Sequence, residues 1–309
     1  MKLHSLSISG LATMNLHALN NEGSEGNALM TRMVEIVDEN GNNHTVNAVS
    51  GDMFKHIQAE HLFHIAQESK LPLCKPCETF NANRIRVDRG YSEEVASSSE
   101  YEAAKKAGRM DSFNLGKVIE RCVIDDCEGN LLTDWAGSKS LARKSCIEFG
   151  WVVGRPETTR TDSYFHVKFQ PEGREKVTGQ SESAEGQIPF HRPASSGQYA
   201  VVLNLDLFRV GRNDITMAYV LDGNERQKRI KSLIQSVLYT FIKPTGAHRN
   251  TQNPHIVNFE GVVAMSTSTV PAPTISALNS KYPDEIARIA ASLNRLSENA
   301  ITVETFKSL

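Results

Sequence analysis

Several sets of side chains in this sequence have types and spacings that could do chemistry. In "NAVSGDMFKHIQAEHL", residues 47–62, Ser50 is a good N-cap, Gly51 lets a ligand approach the backbone, and Lys55 stands in the second turn. The free N–H groups and dipole of a helix start favour an anion, and Lys55 can reach a phosphate there. The same letters also make an ordinary capped surface helix, and local physics leaves both readings open. In "GAHRN", Gly246 to Asn250, glycine admits close backbone approach and Arg249 can grip phosphate with a planar fork. A helix stop followed by a turn explains that stretch equally well.

Metal and nucleophile chemistry have candidates of their own. His61 and His64, three apart on a helix, followed by Cys74-x-x-Cys77, could close a tetrahedral zinc site. The competing reading is a buried helix histidine with unligated thiols, because the spacing between the two pairs is not a standard one. "WAGSKSLARKS" contains no S-x-x-K in register, and its Lys139 and Arg143 suit a basic helix that binds phosphate. Glu22 and Glu25 could hold a metal or act as a base, although two acids in a loop are more often solvated. Tyr164, Phe165, Phe169 and Phe190, mixed with Lys168, Arg174 and Arg192, suit stacking on single-stranded nucleic acid or simply packing of a hairpin on itself. No G-x-S-x-G, P-loop or Rossmann fingerprint is present.

The elements that must position these groups are readable from periodicity. Leu6 and Ile8 alternate in an opening strand that continues toward Asn15. "MVEIVDENGNNHTVNAVS" predicts two short strands around an Asn-Gly turn. The quoted helix runs to about residue 68. Residues 88–112 are poor in large apolar side chains and predict a solvated insertion with a short helix near Glu100–Ala107. "LGKVIERCVID" fits helix or strand, and "SKSLARKSCIEFGWVVG" predicts a helix ending near Gly150. Residues 159–198 predict a projecting hairpin or arm. Val201, Leu203, Leu205 and Leu207 mark a strand. Ile230, Leu233, Ile234, Val237, Leu238 and Phe241 mark a helix whose opposite face, Arg226, Lys228, Arg229 and Lys231, is expected to be solvated. "HIVNFEGVVAMS" predicts a strand and "PDEIARIAASLNRL" a helix. This order fits an α+β sandwich of the ferredoxin or RNA-recognition type with insertions.

The totals bound the class. The 309 residues are 39% hydrophobic, enough for a substantial core, and no apolar run approaches a membrane span or an export signal. Five cysteines, an odd number, suit reduced thiols in a cytoplasmic protein. A formal charge of −2 does not advertise nucleic-acid binding, but a local basic groove suffices, since salt screens charges beyond about 10 Å.

Four ordered blocks carry a resemblance: "SGLATMNLHALNNEGSEGN", "NAVSGDMFKHIQAEHL", "SSGQYAVVLNLDLFRVG" and "PTGAHRNTQNP". Together, from about Ser7 to Ser266, they resemble the DevR-type backbone subunits of type I CRISPR surveillance complexes (Cascade). The resemblance implies one RNA-recognition-type palm over residues 1–309, with helical insertions at about 70–120 and a projecting thumb hairpin at about 157–194. It implies subunits that polymerise along a CRISPR guide RNA, hold its phosphate backbone and present bases for pairing with target DNA, beside other Cascade subunits. By that resemblance Ser50, Gly51, Asp52 and Lys55 become guide contacts, as do Gly246, His248 and Arg249, and Ser195 and Ser196. Asn15, His17, Asn20 and Asn21 line the RNA groove, with Lys139 and Arg143 as basic contributors. No cofactor, no membrane partner and no catalysis are expected. The alternatives are a metal-dependent target-RNA endonuclease of the type III kind, for which an expected aspartate is replaced by Glu22 and Glu25, and an autoregulator that binds RNA or DNA.

Overall fold

"SLSISGLATMNLH" forms β1 (Ser5–His17), and its alternation separates two apolar environments. Leu6, Ile8, Ala12 and Met14 enter the main core, whereas Leu11 enters a second cluster with Ala277, Tyr282 and Ile286. A strand buried on both faces belongs in the middle of a sheet. The computed structural model, which describes residues 3–26, 28–169, 187–245, 251–298 and 300–308, places it there.

After β1 come β2 (Asn21–Glu25), β3 (Ala28–Thr31), β4 (Met33–Val37), β5 (Asn43–Val49) and α1 (Gly51–Glu68). Two short 3-10 turns, Cys77–Thr79 and Arg84–Val87, lead into α2 (Arg89–Ala96), α3 (Ser99–Lys106), α4 (Met110–Arg121) and α5 (Val123–Glu128). Next are β6 (Asn130–Trp135), β7 (Ser138–Arg143), β8 (Ile147–Phe149), β9 (Val152–Gly154), β10 (Arg160–Phe169) and β11 (Gln187–Leu205). A 3-10 turn at Leu207–Arg209, α6 (Gly223–Ile242), β12 (His255–Ser266), α7 (Tyr282–Leu296) and β13 (Ile301–Phe306) complete the chain. The large sheet runs β13-β12-β1-β11-β9-β5-β4, with β8, β10 and β3 also pairing with β11, while β6 and β7 form a separate ribbon. The expected α+β class holds.

One face of the large sheet carries α1 and α6. Their contact includes a buried hydrogen bond, Gln58 Nε2 to Ser236 Oγ at 2.7 Å, and the stacked rings of Phe54 and Phe241 at 5.9 Å. The other face is sealed by the chain after Pro271 and by α7. Ser7 Oγ donates to the Pro273 carbonyl at 2.7 Å, and Ile275 N donates to Ser9 Oγ. The serines of β1 thus satisfy a buried backbone that crosses the sheet.

Three expectations are corrected. Residues 138–149 form no helix. "SKSLAR" is β7, with Ser138, Leu141 and Arg143 buried, and it pairs with β6 across a two-residue turn. That turn is Ala136-Gly137, both at positive φ, as a tight hairpin with the right twist requires. Residues 88–112 are not a solvated insertion, because α2 and α3 bury Val95, Tyr101 and Ala104. A few well-spaced apolar residues suffice for helices of two turns. Finally, Arg229 of α6 is wholly buried.

The reason is Asp126. Its carboxylate is held by Arg143 (Nη2 to Oδ1, 2.7 Å), by Arg229 (Nη1 to Oδ2, 3.0 Å) and by the Gly211 amide at 3.1 Å. Arg143 also reaches Asp214 at 2.8 Å and the carbonyls of Arg209 and Arg212. Burial alone would lower the Arg143 pKa, but the charges of Asp126, Cys146 and Asp214 outweigh it and hold the pKa above its usual value. Removing the shared anion leaves two buried guanidinium groups uncompensated. Asp126→Ala is expected to cost about 3–5 kcal/mol in urea unfolding. A loss under about 1 kcal/mol, the worth of an exposed pair, would show that the cluster does not bind the layers together.

Candidate nucleic-acid interface

The end of β1 is irregular on both sides. Against β11 the register passes from Met14↔Gly197 to His17↔Ser195, so Asn15 and Leu16 oppose the single residue Ser196. Against β12 it shifts between Thr13 and Met14. Leu16 sits at φ 53° and its amide donates to Ser196 Oγ at 3.0 Å. A bulge of this kind bends a strand and re-aims its side chains. Gly197, at φ 150°, has room for no Cβ, which would lie 2.6 Å from the Thr159 Cα.

The loop after β1 meets the start of α1. Asn20 Oδ1 accepts from the Ser50 amide at 3.0 Å, and Ser50 Oγ caps the helix by accepting from Met53 N at 3.2 Å. Gly51 is glycine for packing: a Cβ there would lie 2.5 Å from the Phe149 carbonyl oxygen. Ser195 shares a 2.9 Å hydrogen bond with Thr161 across the β10–β11 pair. Blocks around residues 15–20, 50–52 and 195–196, distant in sequence, therefore form one neighbourhood.

The expected contact residues divide by orientation. Asn15, Ser50 and Ser196 are half-buried, and Asp52 is exposed in the first turn of α1. Lys55 donates from Nζ to Ser145 Oγ at 2.8 Å and lines a cleft of about 290 Å³ with Asp52, His56, Arg84 and Glu128. Burial pushes the Glu128 carboxyl up, and Arg84 and Lys55 pull it partly back. Lys139 is exposed on the β6–β7 ribbon. His17, Asn20 and Ser195 are buried, and the structure turns them inward rather than toward a ligand. Arg143 is likewise committed to Asp126 and is not available to grip a phosphate. Gly246, His248, Arg249 and the side chain of Asn21 lie outside the described residues.

The proposed metal quartet is also corrected. His61 Nε2 lies 2.9 Å from the Lys243 carbonyl oxygen, and His64 is exposed against the Phe63 ring. Neither joins the cluster that holds Cys74 and Cys77.

Other residues of this neighbourhood, Arg192 apart, carry no motif. Asn47 is buried, accepts from the Tyr199 hydroxyl at 2.9 Å, and donates to the Arg32 carbonyl and to Thr31 Oγ1. Arg160 is exposed and stands opposite Ser196 in the β10–β11 register. Arg192 lies over the Phe190 ring, 4.9 Å from its centre, and donates to Thr251 Oγ1 at 2.8 Å. Gln252 donates to the Pro193 carbonyl at 2.8 Å, so the chain approaching the start of β12 is tied to β11. Only a paired register brings Arg160 and Arg192 beside these blocks, and no local signal announces that register.

A family model described as "CRISPR-associated negative auto-regulator DevR/Csa2" matches residues 8–287. The chain belongs to this DevR/Csa2 family. Among curated proteins, the CRISPR-associated protein Cas7/Csa2 1 of Saccharolobus solfataricus is 23% identical over 283 residues, covering 88% of this chain and 82% of that protein. Among solved structures, a chain of a "CRISPR RNA-guided surveillance complex, pre-nicking" aligns over 96% of this chain and 90% of its own, with a TM-score of 0.48 at 12% identity. A second "CRISPR RNA-guided surveillance complex" aligns over 97% and 88%, with a TM-score of 0.47 at 10% identity. The DevR/Csa2 match runs from β1 into α7 and therefore contains every block of the neighbourhood above. Among the described residues, no helix is long and apolar enough to cross a membrane.

His17 gives this region a measurable signature. Its ring packs edge-on to Tyr199 at 4.9 Å, and burial pushes its pKa down to about 4 from 6.5. Between those values the unfolded chain binds a proton that the folded chain refuses. Stability contributed by neutral His17 is therefore complete above pH 6.5 and lost as pH falls toward 4, by up to about 3 kcal/mol. Urea midpoints of wild type and His17→Phe should diverge across this window, with the variant losing less on acidification. Parallel profiles would place His17 in contact with water.

Proposed function

We propose that this chain is a non-catalytic backbone subunit of a CRISPR RNA-guided surveillance complex, working in the cytoplasm. Copies of it polymerise along the guide RNA, hold its phosphates and present its bases to target DNA, next to other subunits of the complex. The observation that carries this reading is the meeting of the bulged β1 end, the capped start of α1 and the Ser195–Ser196 segment, within a family whose model spans all three.

The topology supports an RNA-recognition-type palm as a single domain. Leaving the insertions aside, the order is β1, α1, β8/β9, β11, α6, β12, and the sheet reads β12-β1-β11-β9. That is the βαββαβ pattern with its last strand beside its first. The helices between residues 70 and 128 are the larger insertion. The β10–β11 hairpin is the thumb: Tyr164, Phe165 and Val167 are exposed along it, as suits an element that meets RNA or a neighbouring copy rather than its own core.

In this reading the start of α1 seats a guide phosphate, and Lys55 exchanges Ser145 for it. Arg160 and Arg192 supply charge from the thumb base, Lys139 is a peripheral contact, and Gly246, His248 and Arg249 are kept as further guide contacts. The buried polar residues keep the groove's shape. Recognition then rests on RNA backbone and geometry, and sequence is left to base pairing. Many modest phosphate contacts per copy add along the strand, which reconciles RNA binding with a net charge of −2.

The family description names an auto-regulator, and this second reading predicts one specific duplex operator. Filter binding separates them. The scaffold binds single-stranded RNA with affinity rising with length, whereas a regulator prefers its own duplex site. Within that assay Lys55→Ala is expected to weaken RNA binding and to reduce the salt slope by about one, with the thermal midpoint retained. An unchanged slope would move the groove elsewhere. For the thumb, residues 170–186 can be replaced by a two-residue Asn-Gly turn, because Phe169 and Gln187 are already cross-strand partners. Such a variant should fold and bind guide RNA yet assemble irregularly and pair poorly with target DNA. Normal filaments would remove the thumb assignment.

A further inference from the structure

Away from the groove, α1 and the helical insertion meet around sulfur. Cys74 and Cys77 flank the turn after α1, Cys122 sits between α4 and α5, and Asp125 lies one turn further along α5. All four are buried, and their Sγ and carboxylate atoms lie within 4.8 Å of one another. We propose that Cys74, Cys77, Cys122 and Asp125 form a structural zinc site that fastens the helical insertion to α1.

The distances fit one tetrahedral ion. Zinc–sulfur and zinc–carboxylate bonds of about 2.3 and 2.0 Å place sulfur and oxygen ligands about 3.5 Å apart. Asp125 Oδ2 lies 3.5 Å from Cys74 Sγ and 3.7 Å from Cys77 Sγ. The first two ligands have the C-x-x-C spacing of zinc turns, and Cys122 and Asp125 are the N-cap and the third residue of α5.

The surroundings also orient the carboxylate. Asn130 Nδ2 donates to Asp125 Oδ1 at 2.7 Å, leaving Oδ2 toward the sulfurs, and the Ile85 amide approaches Oδ2 at 3.4 Å. Metal-binding carboxylates are held in this way by a partner on the other oxygen. Sulfur-rich donors exclude magnesium and calcium in favour of zinc. An iron–sulfur cluster distributes its thiolates over several metal atoms, whereas these donors converge on one point.

The same elements meet beside the sulfurs: Val123 N donates to the Pro72 carbonyl at 2.9 Å, and Cys77 forms part of the wall of the Lys55 cleft. Metal would thus clamp the insertion at its entry and exit. The sequence-derived expectation of no cofactor changes accordingly, and the pair His61 and His64 is replaced by Cys122 and Asp125.

Metal analysis of the purified full-length chain tests this independently of RNA binding. About one zinc per chain is expected. Cobalt(II) exchanged into the protein should show intense visible bands of tetrahedral geometry and thiolate-to-metal charge transfer in the near ultraviolet. Cys77→Ser should lose the zinc and His61→Ala/His64→Ala should retain it. Should Cys77→Ser fail to fold, chelation of wild type serves instead: zinc release should lower the thermal midpoint by several degrees, and added zinc should restore it. Substoichiometric zinc with no cobalt spectrum, retention of zinc by Cys77→Ser, a Cys74–Cys77 disulfide in the protein as isolated, or an iron–sulfur chromophore would each overturn the proposal.

Discussion

One buried anion organises this molecule. Asp126 receives Arg143 from β7, Arg229 from α6 and an amide from the loop after β11, so three separate layers share a single charge. Two guanidinium groups are taken out of water, and only an equally desolvated carboxylate makes that tolerable. From there the path to the candidate groove is short. Arg229 fixes α6, α6 packs on α1 through Gln58–Ser236 and Phe54–Phe241, and α1 presents Ser50 to Asn20 at the end of β1. A groove assembled from loops alone would have no such anchor.

The large sheet carries the second constraint, that β1 must be covered on both faces. Its even positions meet α1 and α6, and its odd positions meet the chain after Pro271. Serine serves at positions 7 and 9 because the covering segment there is backbone, whose polar groups need partners. Beyond residue 13 this regular environment ends. The two register shifts re-aim the last residues of β1, still paired, just where the chain leaves the core.

Much of this was legible beforehand. Alternation located β1, β4, β5, β11 and β12, and helical spacing located α1, α6 and α7, because in each the apolar stripe does the folding. The Ser50 cap was visible for the same reason: it is a local hydrogen bond. What stayed hidden is non-local. "SKSLAR" carries too little apolar content to reveal its period, and its partner is β6 rather than a neighbouring turn. Arg143 and Arg229 look like surface charges until Asp126 is brought between them by the fold. Cys122 and Asp125 complete the set begun by Cys74 and Cys77 only because α5 turns back onto the end of α1, a contact no spacing rule encodes. Gly51 was right in identity and different in reason, since what approaches its backbone is Phe149.

The division of labour within the proposed groove follows from these facts. Side chains that define its outline, His17, Asn20, Asn47 and Ser195, are buried and have little freedom to move. The groups that offer charge, Lys55, Arg160 and Arg192, sit at its margins on long flexible stems. In the proposed function, a rigid outline with adjustable cations would discriminate shape and be indifferent to base identity, because phosphate contacts carry no sequence information. If copies repeat along one guide as proposed, that indifference is required, since successive copies would meet different sequences at the same backbone geometry. In the proposed reading, buried His17, Asn20 and Ser195 contribute by holding still the surface on which Lys55, Arg160 and Arg192 work.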